Sequence, residues 1–141
     1  MILIDTGPLV AVLGTKLDFS DICRKILHQT PWPLISTWPC LTEAMYFAWQ
    51  KGEFELLRLL QDGAVRLMEP GKNLKDGQPP DAFMLRIGEL MEQYQDLPMD
   101  FADASLVVAS ERLRIRKILT LDRKDFSIYR AFDGGAFEIV P

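Results

Sequence analysis

Histidine occurs once in the 141 residues and cysteine twice, so neither can supply the set of nitrogen or sulfur ligands that a structural zinc requires. His28 has no Ser-His-Asp context, and a structural role is expected of it. Cys23 and Cys40 lack metal-type spacing, and one bridge between them would be a weak scaffold. Reduced thiols in a cytoplasm are the simpler reading. No apolar run approaches the ~18 residues of a membrane span. Met1 to Asp5 is apolar but has no basic flank and meets a carboxylate after four residues, which reads as a buried strand and not as a signal peptide. A cytoplasmic protein without membrane attachment is therefore expected. Gly-x-Ser-x-Gly, P-loop and Gly-x-Gly-x-x-Gly motifs are all missing, which removes the common hydrolase and nucleotide-binding signatures. Positive charge is also short: the net charge is −4, which argues against a general nucleic-acid binder.

What is present suits a soluble domain. Hydrophobic residues make up 48% of the chain and charged residues 26%, enough for a substantial core, and the length fits one domain spanning 1–141. The charge is unevenly spread. Between Glu111 and Arg130 lie Arg112, Arg114, Arg116, Lys117, Arg123, Lys124 and Arg130 against three acids. A phosphate-bearing partner could dock there; a solvated helix end and loop is an equally good account of any one of these residues.

Punctuation by proline, glycine and capping residues divides the chain. Ile2 to Asp5 reads as a short buried strand, with Thr6-Gly7-Pro8 starting a helix. Asp18 or Ser20 can cap a second helix to about Gln29, broken by Pro31 and Pro33 before a strand at Leu34-Ile35-Ser36. A third helix follows Ser36 or Thr37 and runs through Lys51 to Gly52; a fourth covers about Glu53 to Asp62; Val65 to Met68 is a short strand. Gly71 to Pro80 reads as a loop, Asp81 to Tyr94 as a helix, and Asp100 can cap a helix from Ala102 to about Leu113. Lys117 to Leu121 and Phe137 to Val140 complete the strands. Alternating strands and helices predict an α/β fold with a mostly parallel central sheet covered on both faces. Ligand sites of such sheets gather at the carboxyl ends of the strands, where Asp5 and Asp122 fall.

Three acids stand alone in apolar surroundings. Asp5 is the only charged residue of Met1 to Thr15, Glu43 the only one of Pro31 to Gln50, and Asp103 the only one between Asp100 and Glu111. A buried carboxylate must be paired, protonated or neutralised by a cation, and these segments hold no Lys, Arg or His. Oxygen ligands without His or Cys favour Mg²⁺ or Mn²⁺, and such ions can position water and stabilise charge in phosphodiester hydrolysis.

Each acid also has a plainer reading. Asp5 could cap the following helix; Glu43 could lie on a solvated stripe; Asp100 and Asp103 could be N-terminal helix acids favoured by the dipole; Asp122 could serve a turn or pair with Arg123. Trp32, Trp38, Tyr46 and Trp49 gather around the third helix and could stack on bases, with core packing or a subunit interface the better expectation.

Taken together, Ile4-Asp5-Thr6, Ser36-Thr37 followed by Glu43, Asp103-Ala104-Ser105-Leu106-Val107 and Leu119-Thr120-Leu121-Asp122-Arg123-x-x-Phe126 resemble PIN domains, most closely the VapC toxins. The resemblance spans nearly the whole chain. It implies a PIN-like three-layer α/β/α fold and an Mg²⁺-dependent endoribonuclease of a type II toxin–antitoxin pair. By the same resemblance Asp5, Glu43, Asp103 and Asp122 form the acidic catalytic quartet, with Asp5 and Asp103 the principal metal ligands. Thr6, Thr37 and Thr120 are then placed to bind water or phosphate, and Asp100 to cap or support. The implied partners are an RNA substrate, an antitoxin whose tail occupies the acidic groove, and a second copy in a homodimer. The competing expectations are a catalytically silent PIN-like binding module and an RNA-processing PIN nuclease outside toxin–antitoxin systems. A phosphatase with an aspartate nucleophile is disfavoured, because Gly7 stands where a second aspartate is wanted.

Overall fold

A computed structural model describes residues 1–13, 20–30, 33–48, 53–71, 79 and 81–141. Its centre is a five-stranded sheet of β1 (Ile2–Ile4), β2 (Leu34–Ser36), β3 (Val65–Leu67), β4 (Lys117–Leu119) and β5 (Glu138–Val140), ordered β3-β2-β1-β4-β5. Every pairing is parallel, with Leu3 opposite Ile35 on one side and Ile118 on the other. Leu3, Ile4, Ile118 and Leu119 are fully buried although successive strand residues point to opposite faces. Both faces of the central strands are therefore covered, as the apolar runs predict.

The covering helices among the described residues are α1 (Thr6–Leu13), α2 (Ser20–Gln29), α3 (Trp38–Ala48), α4 (Glu53–Gln61), α5 (Ala82–Gln93), α6 (Phe101–Leu113) and α7 (Arg123–Ile128). Helix α6 is the most deeply set: every residue from Ala102 to Ser110 is buried. Its Leu106, Val107, Val108 and Ala109 join Leu3, Ile4 and Leu119 in the main core. Asp100 caps its start, accepting from the Asp103 amide at 2.8 Å, and Arg114 closes its end at φ 55°. Among the described residues no helix is long and apolar enough to cross a membrane.

The structure departs from the sequence reading in places. Helix α7 was not expected; it forms because the Asp122 side chain accepts from the Asp125 amide at 3.0 Å and caps a single short turn region. That turn also ends β4 at Leu119, two residues early. Strand β1 likewise stops at Ile4, leaving Asp5 at its mouth. Asp18, Pro31, Trp32, Trp49, Lys51, Gly52 and most of the Gly71 to Pro80 loop lie outside the described residues, as does the Ser20 side chain.

The strand order reverses at β1. The chain moves outward to β2 and β3, then returns to β1's other side for β4 and β5. The carboxyl ends of β1 and β4 are thus adjacent, and Asp5 donates its amide to the Leu119 carbonyl at 3.0 Å. Such a switch point leaves a crevice that neither crossover fills.

Candidate active site

That crevice is a cleft of about 620 Å³, and Asp5, Glu43, Asp100, Asp103, Asp122 and Asp125 all border it. The four acids read from the sequence arrive from four elements: the end of β1, the middle of α3, the first turn of α6 and the cap of α7. Asp100 and Asp125 are two further acids on the rim. For Asp125, its place three residues after Asp122 was the available signal.

Hydroxyl groups hold the deepest carboxylates. Asp5 Oδ1 accepts from the Thr6 amide at 2.6 Å, and its Oδ2 from the Thr120 hydroxyl at 2.7 Å. Asp5 is therefore more than a helix cap. The Thr6 hydroxyl donates to Glu43 Oε2 at 2.7 Å, tying α1 to α3 and fixing a side chain that is partly buried instead of lying on a solvated stripe. Tyr129 donates to Asp103 Oδ2 at 3.2 Å. No signal in the sequence pointed to Tyr129.

Thr120 also accepts from the Asp122 amide at 2.9 Å, so one buried hydroxyl orients two cleft acids. Thr37, by contrast, is 1% exposed and shares a 2.6 Å hydrogen bond with Ser105. It braces α3 against α6 and does not face the cleft, contrary to expectation.

Electrostatics single out two groups. Burial, opposed by the Thr120 and Thr6 hydrogen bonds and reinforced by Asp100 and Glu43, raises the Asp5 carboxyl to about 6. Burial, then Asp100 and Asp5, raises Asp103 to about 8 despite the Tyr129 hydrogen bond. No ion pair to either carboxylate occurs among the described residues. Two acids whose ionisation is opposed by burial and by each other, without an ion pair among the described residues, form a site that a bound cation would relieve.

The donor set is all oxygen. Cys40 lies nearby, but burial and Asp5 push its thiol up to about 12, so it is no thiolate ligand. Among the described residues no three carboxylates converge tightly enough to hold an ion alone. Mg²⁺ binds through one or two carboxylates and keeps several waters, so these residues fit a hydrated Mg²⁺ or Mn²⁺ and not a fully protein-bound ion.

The basic segment of Glu111 to Arg130 does not converge on the cleft. Arg116 pairs with Asp133 and Lys117 with Glu138; Arg112 donates to the Pro70 carbonyl, and Arg114 covers the Phe132 ring at 4.8 Å. Arg123 and Lys124 line the cleft, so the phosphate-docking expectation narrows to these two. Arg123 donates to the Pro141 carbonyl and does not pair with Asp122. His28 is exposed near the end of α2.

Of the two expectations for the aromatics, core packing or a subunit interface, the first fails for Trp38 and Tyr46. They are 55% and 73% exposed, and with Phe47 they border a second, apolar groove.

No family model matches the chain. Ribonuclease VapC26 of Mycobacterium tuberculosis (strain ATCC 25618 / H37Rv) is 37% identical over 89 residues, which is 63% of this chain. The chain spans 59% of the length of that curated relative. Among solved structures, Mycobacterium tuberculosis VapC20, a sarcin-ricin loop cleaving toxin, matches over 100% of both chains with a TM-score of 0.74 and 14% identity. That likeness shows the fold: a three-layer α/β arrangement with a parallel central sheet. The resemblance to VapC proteins first seen in the motifs is thus found again in sequence and in backbone.

Proposed function

We propose that this chain is a VapC-type PIN-domain endoribonuclease, hydrolysing RNA phosphodiesters with Mg²⁺ or Mn²⁺ as the toxin of a toxin–antitoxin pair. The observation that carries this reading is the convergence of Asp5, Glu43, Asp103 and Asp122 on one cleft, with Asp5 and Asp103 held at raised pKa and without a cationic partner among the described residues. The resemblance to Ribonuclease VapC26 supports RNA as substrate.

In this reading Asp5 and Asp103 are the metal ligands, and a divalent ion bound there would polarise the phosphate and lower the pKa of a bound water. The Thr120 and Tyr129 hydroxyls fix the orientation of the two carboxylates. Glu43, held by Thr6, accepts hydrogen bonds from water at the edge of the cleft. Asp122 completes the acidic wall while capping α7. Arg123 and Lys124 at the rim meet the RNA backbone. The antitoxin partner fits the same cleft: a tail bearing a basic side chain would neutralise these acids and exclude substrate. Homodimerisation and a single domain over 1–141 complete the proposal.

The deciding experiment incubates purified protein with RNA in Mg²⁺, Mn²⁺ or EDTA, beside the Asp103→Asn variant. Cleavage is expected with either cation, none with EDTA, and a loss of at least about 100-fold in the folded variant, the order of effect of removing a group that stabilises the transition state. Undiminished cutting by Asp103→Asn overturns the assignment. Absence of cleavage under every condition, with tight binding of a basic peptide, favours the silent binding module.

A further inference from the structure

One threonine reaches two of the cleft acids through different atoms. Thr6 opens α1 and is 8% exposed. Its amide donates to Asp5 Oδ1 at 2.6 Å, and its hydroxyl donates to Glu43 Oε2 at 2.7 Å. The other acceptor near that hydroxyl is the Cys40 carbonyl, at 3.4 Å. A hydroxyl has a single proton to give, and the short bond to a charged carboxylate is the stronger of the two. The proton is therefore committed to Glu43. That commitment differs from the contact with water or phosphate which the family resemblance implies for Thr6.

We propose that Thr6 is a positioning residue of the cleavage reaction, acting through Glu43 and not on the RNA phosphate. The inference rests on the nuclease reading above. Glu43 projects from the middle of α3 on a long side chain whose rotamer freedom is lost when it is fixed. Among the described residues the Thr6 hydroxyl is its hydrogen-bond partner. One carboxylate oxygen is clamped, and the other is left to accept from water in the cleft that Glu43 borders. The two arms of Thr6 are also separable by substitution. The amide arm on Asp5 survives a change of side chain, whereas Thr6→Val keeps the branched shape and deletes the hydroxyl arm alone. Loss of that arm frees Glu43 without releasing Asp5.

The test follows Thr6→Val and Thr6→Ser in single-turnover cleavage, with enzyme in excess over RNA, so that the maximal rate and the half-saturating enzyme concentration are read separately. Thr6→Val is expected to lower the maximal rate about 10-fold, as for other groups that orient a residue of an active site from behind. Half-saturation and the Mg²⁺ requirement should not change. Thr6→Ser should restore the rate, because the hydroxyl and not the methyl is used. Weaker half-saturation at an unchanged maximal rate would mean that Thr6 grips the phosphate; a raised Mg²⁺ requirement would mean that it serves Asp5. Either result overturns the proposal, as does a Thr6→Ser variant as slow as Thr6→Val. Urea unfolding in EDTA reads the clamp without turnover. Thr6→Val should lower the midpoint in the wild-type background and leave it nearly unmoved in Glu43→Ala, the non-additivity of residues in contact. Equal shifts in the two backgrounds overturn the proposal. Wild-type cleavage that is indifferent to Thr6→Val refutes the positioning role and leaves the nuclease reading standing. Absence of cleavage by wild type refutes the nuclease reading and the positioning role with it, even where the urea measurements show Thr6 and Glu43 coupled.

Discussion

Tyr129 donates its hydroxyl proton to Asp103 Oδ2 from a ring that is itself wholly buried. The ring is fixed by edge-to-face contacts with Phe126 and Tyr94, both at 5.2 Å. Burial and the neighbouring carboxylates hold the phenol well above its usual range, so it remains a donor at any physiological pH. A cleft carboxylate is thereby oriented from the core, by a residue 26 positions away.

Tyr129→Phe keeps the packing and deletes that donor. Stability should fall by about 1 kcal/mol, the net worth of one hydrogen bond. The Mg²⁺ concentration for half-maximal cleavage should rise roughly 10-fold, as for other groups that orient a metal ligand. An unchanged Mg²⁺ requirement in a folded variant would reduce Tyr129 to a packing residue.

The raised carboxyl groups give the metal-free protein an inverted pH dependence. Asp5 titrates near 6 and Asp103 near 8 in the fold, against about 3.9 in an unfolded chain. Between these values the folded state binds more protons than the unfolded one, so stability falls as pH rises. Both groups contribute from about pH 4 to 6, and Asp103 alone up to about 8. In EDTA, thermal unfolding should occur at lower temperature at pH 8 than at pH 5.5, by several degrees. Asp103→Asn should flatten the slope between pH 6 and 8. A melting temperature that climbs over this interval would show that the two acids are not held as described.

The parts legible in the sequence were those set by local patterning. Strand β2 falls at Leu34–Ser36 as read, because prolines precede it and Leu34 and Ile35 supply an apolar residue to each of its buried faces. Asp5 and Asp103 stood out because each was the lone charge in a segment the core must absorb. What escaped depends on contacts made through space. Tyr129 carries no local mark of its tie to Asp103, and Thr37 looked equivalent to Thr6 and Thr120 until Ser105 claimed its hydroxyl. Helix α7 escaped because six residues give no periodicity, although the Asp122–Asp125 cap was readable. Of the two expectations for the aromatics around α3, core packing fails for Trp38 and Tyr46, which have core-like chemistry but lie on the outward face of the helix.

Mg²⁺ should stabilise the fold by relieving the same carboxylates, and most where they are ionised. A ligand at 100 times its dissociation constant adds about 2.7 kcal/mol, or roughly 5–10 °C for a chain of this size. The gain should be larger at pH 8 than at pH 5.5, where protons compete for Asp5 and Asp103, and absent in Asp103→Asn. Differential scanning fluorimetry across Mg²⁺ concentrations measures it; an equal shift in the variant would place the ion elsewhere.

Asp122 has two duties that substitutions can separate. Its side chain caps α7 through the Asp125 amide and also borders the cleft. Asparagine retains the capping oxygen and removes the charge; alanine removes both. Asp122→Asn should therefore leave stability nearly unchanged, while Asp122→Ala loses about 1 kcal/mol. If the charge is what catalysis uses, cleavage should fall in both variants to a similar extent, by about 10-fold or more for a group that acts on the developing charge. A fall confined to the alanine variant would mean that Asp122 serves the cleft by holding α7, and with it Tyr129 and Asp103, in place.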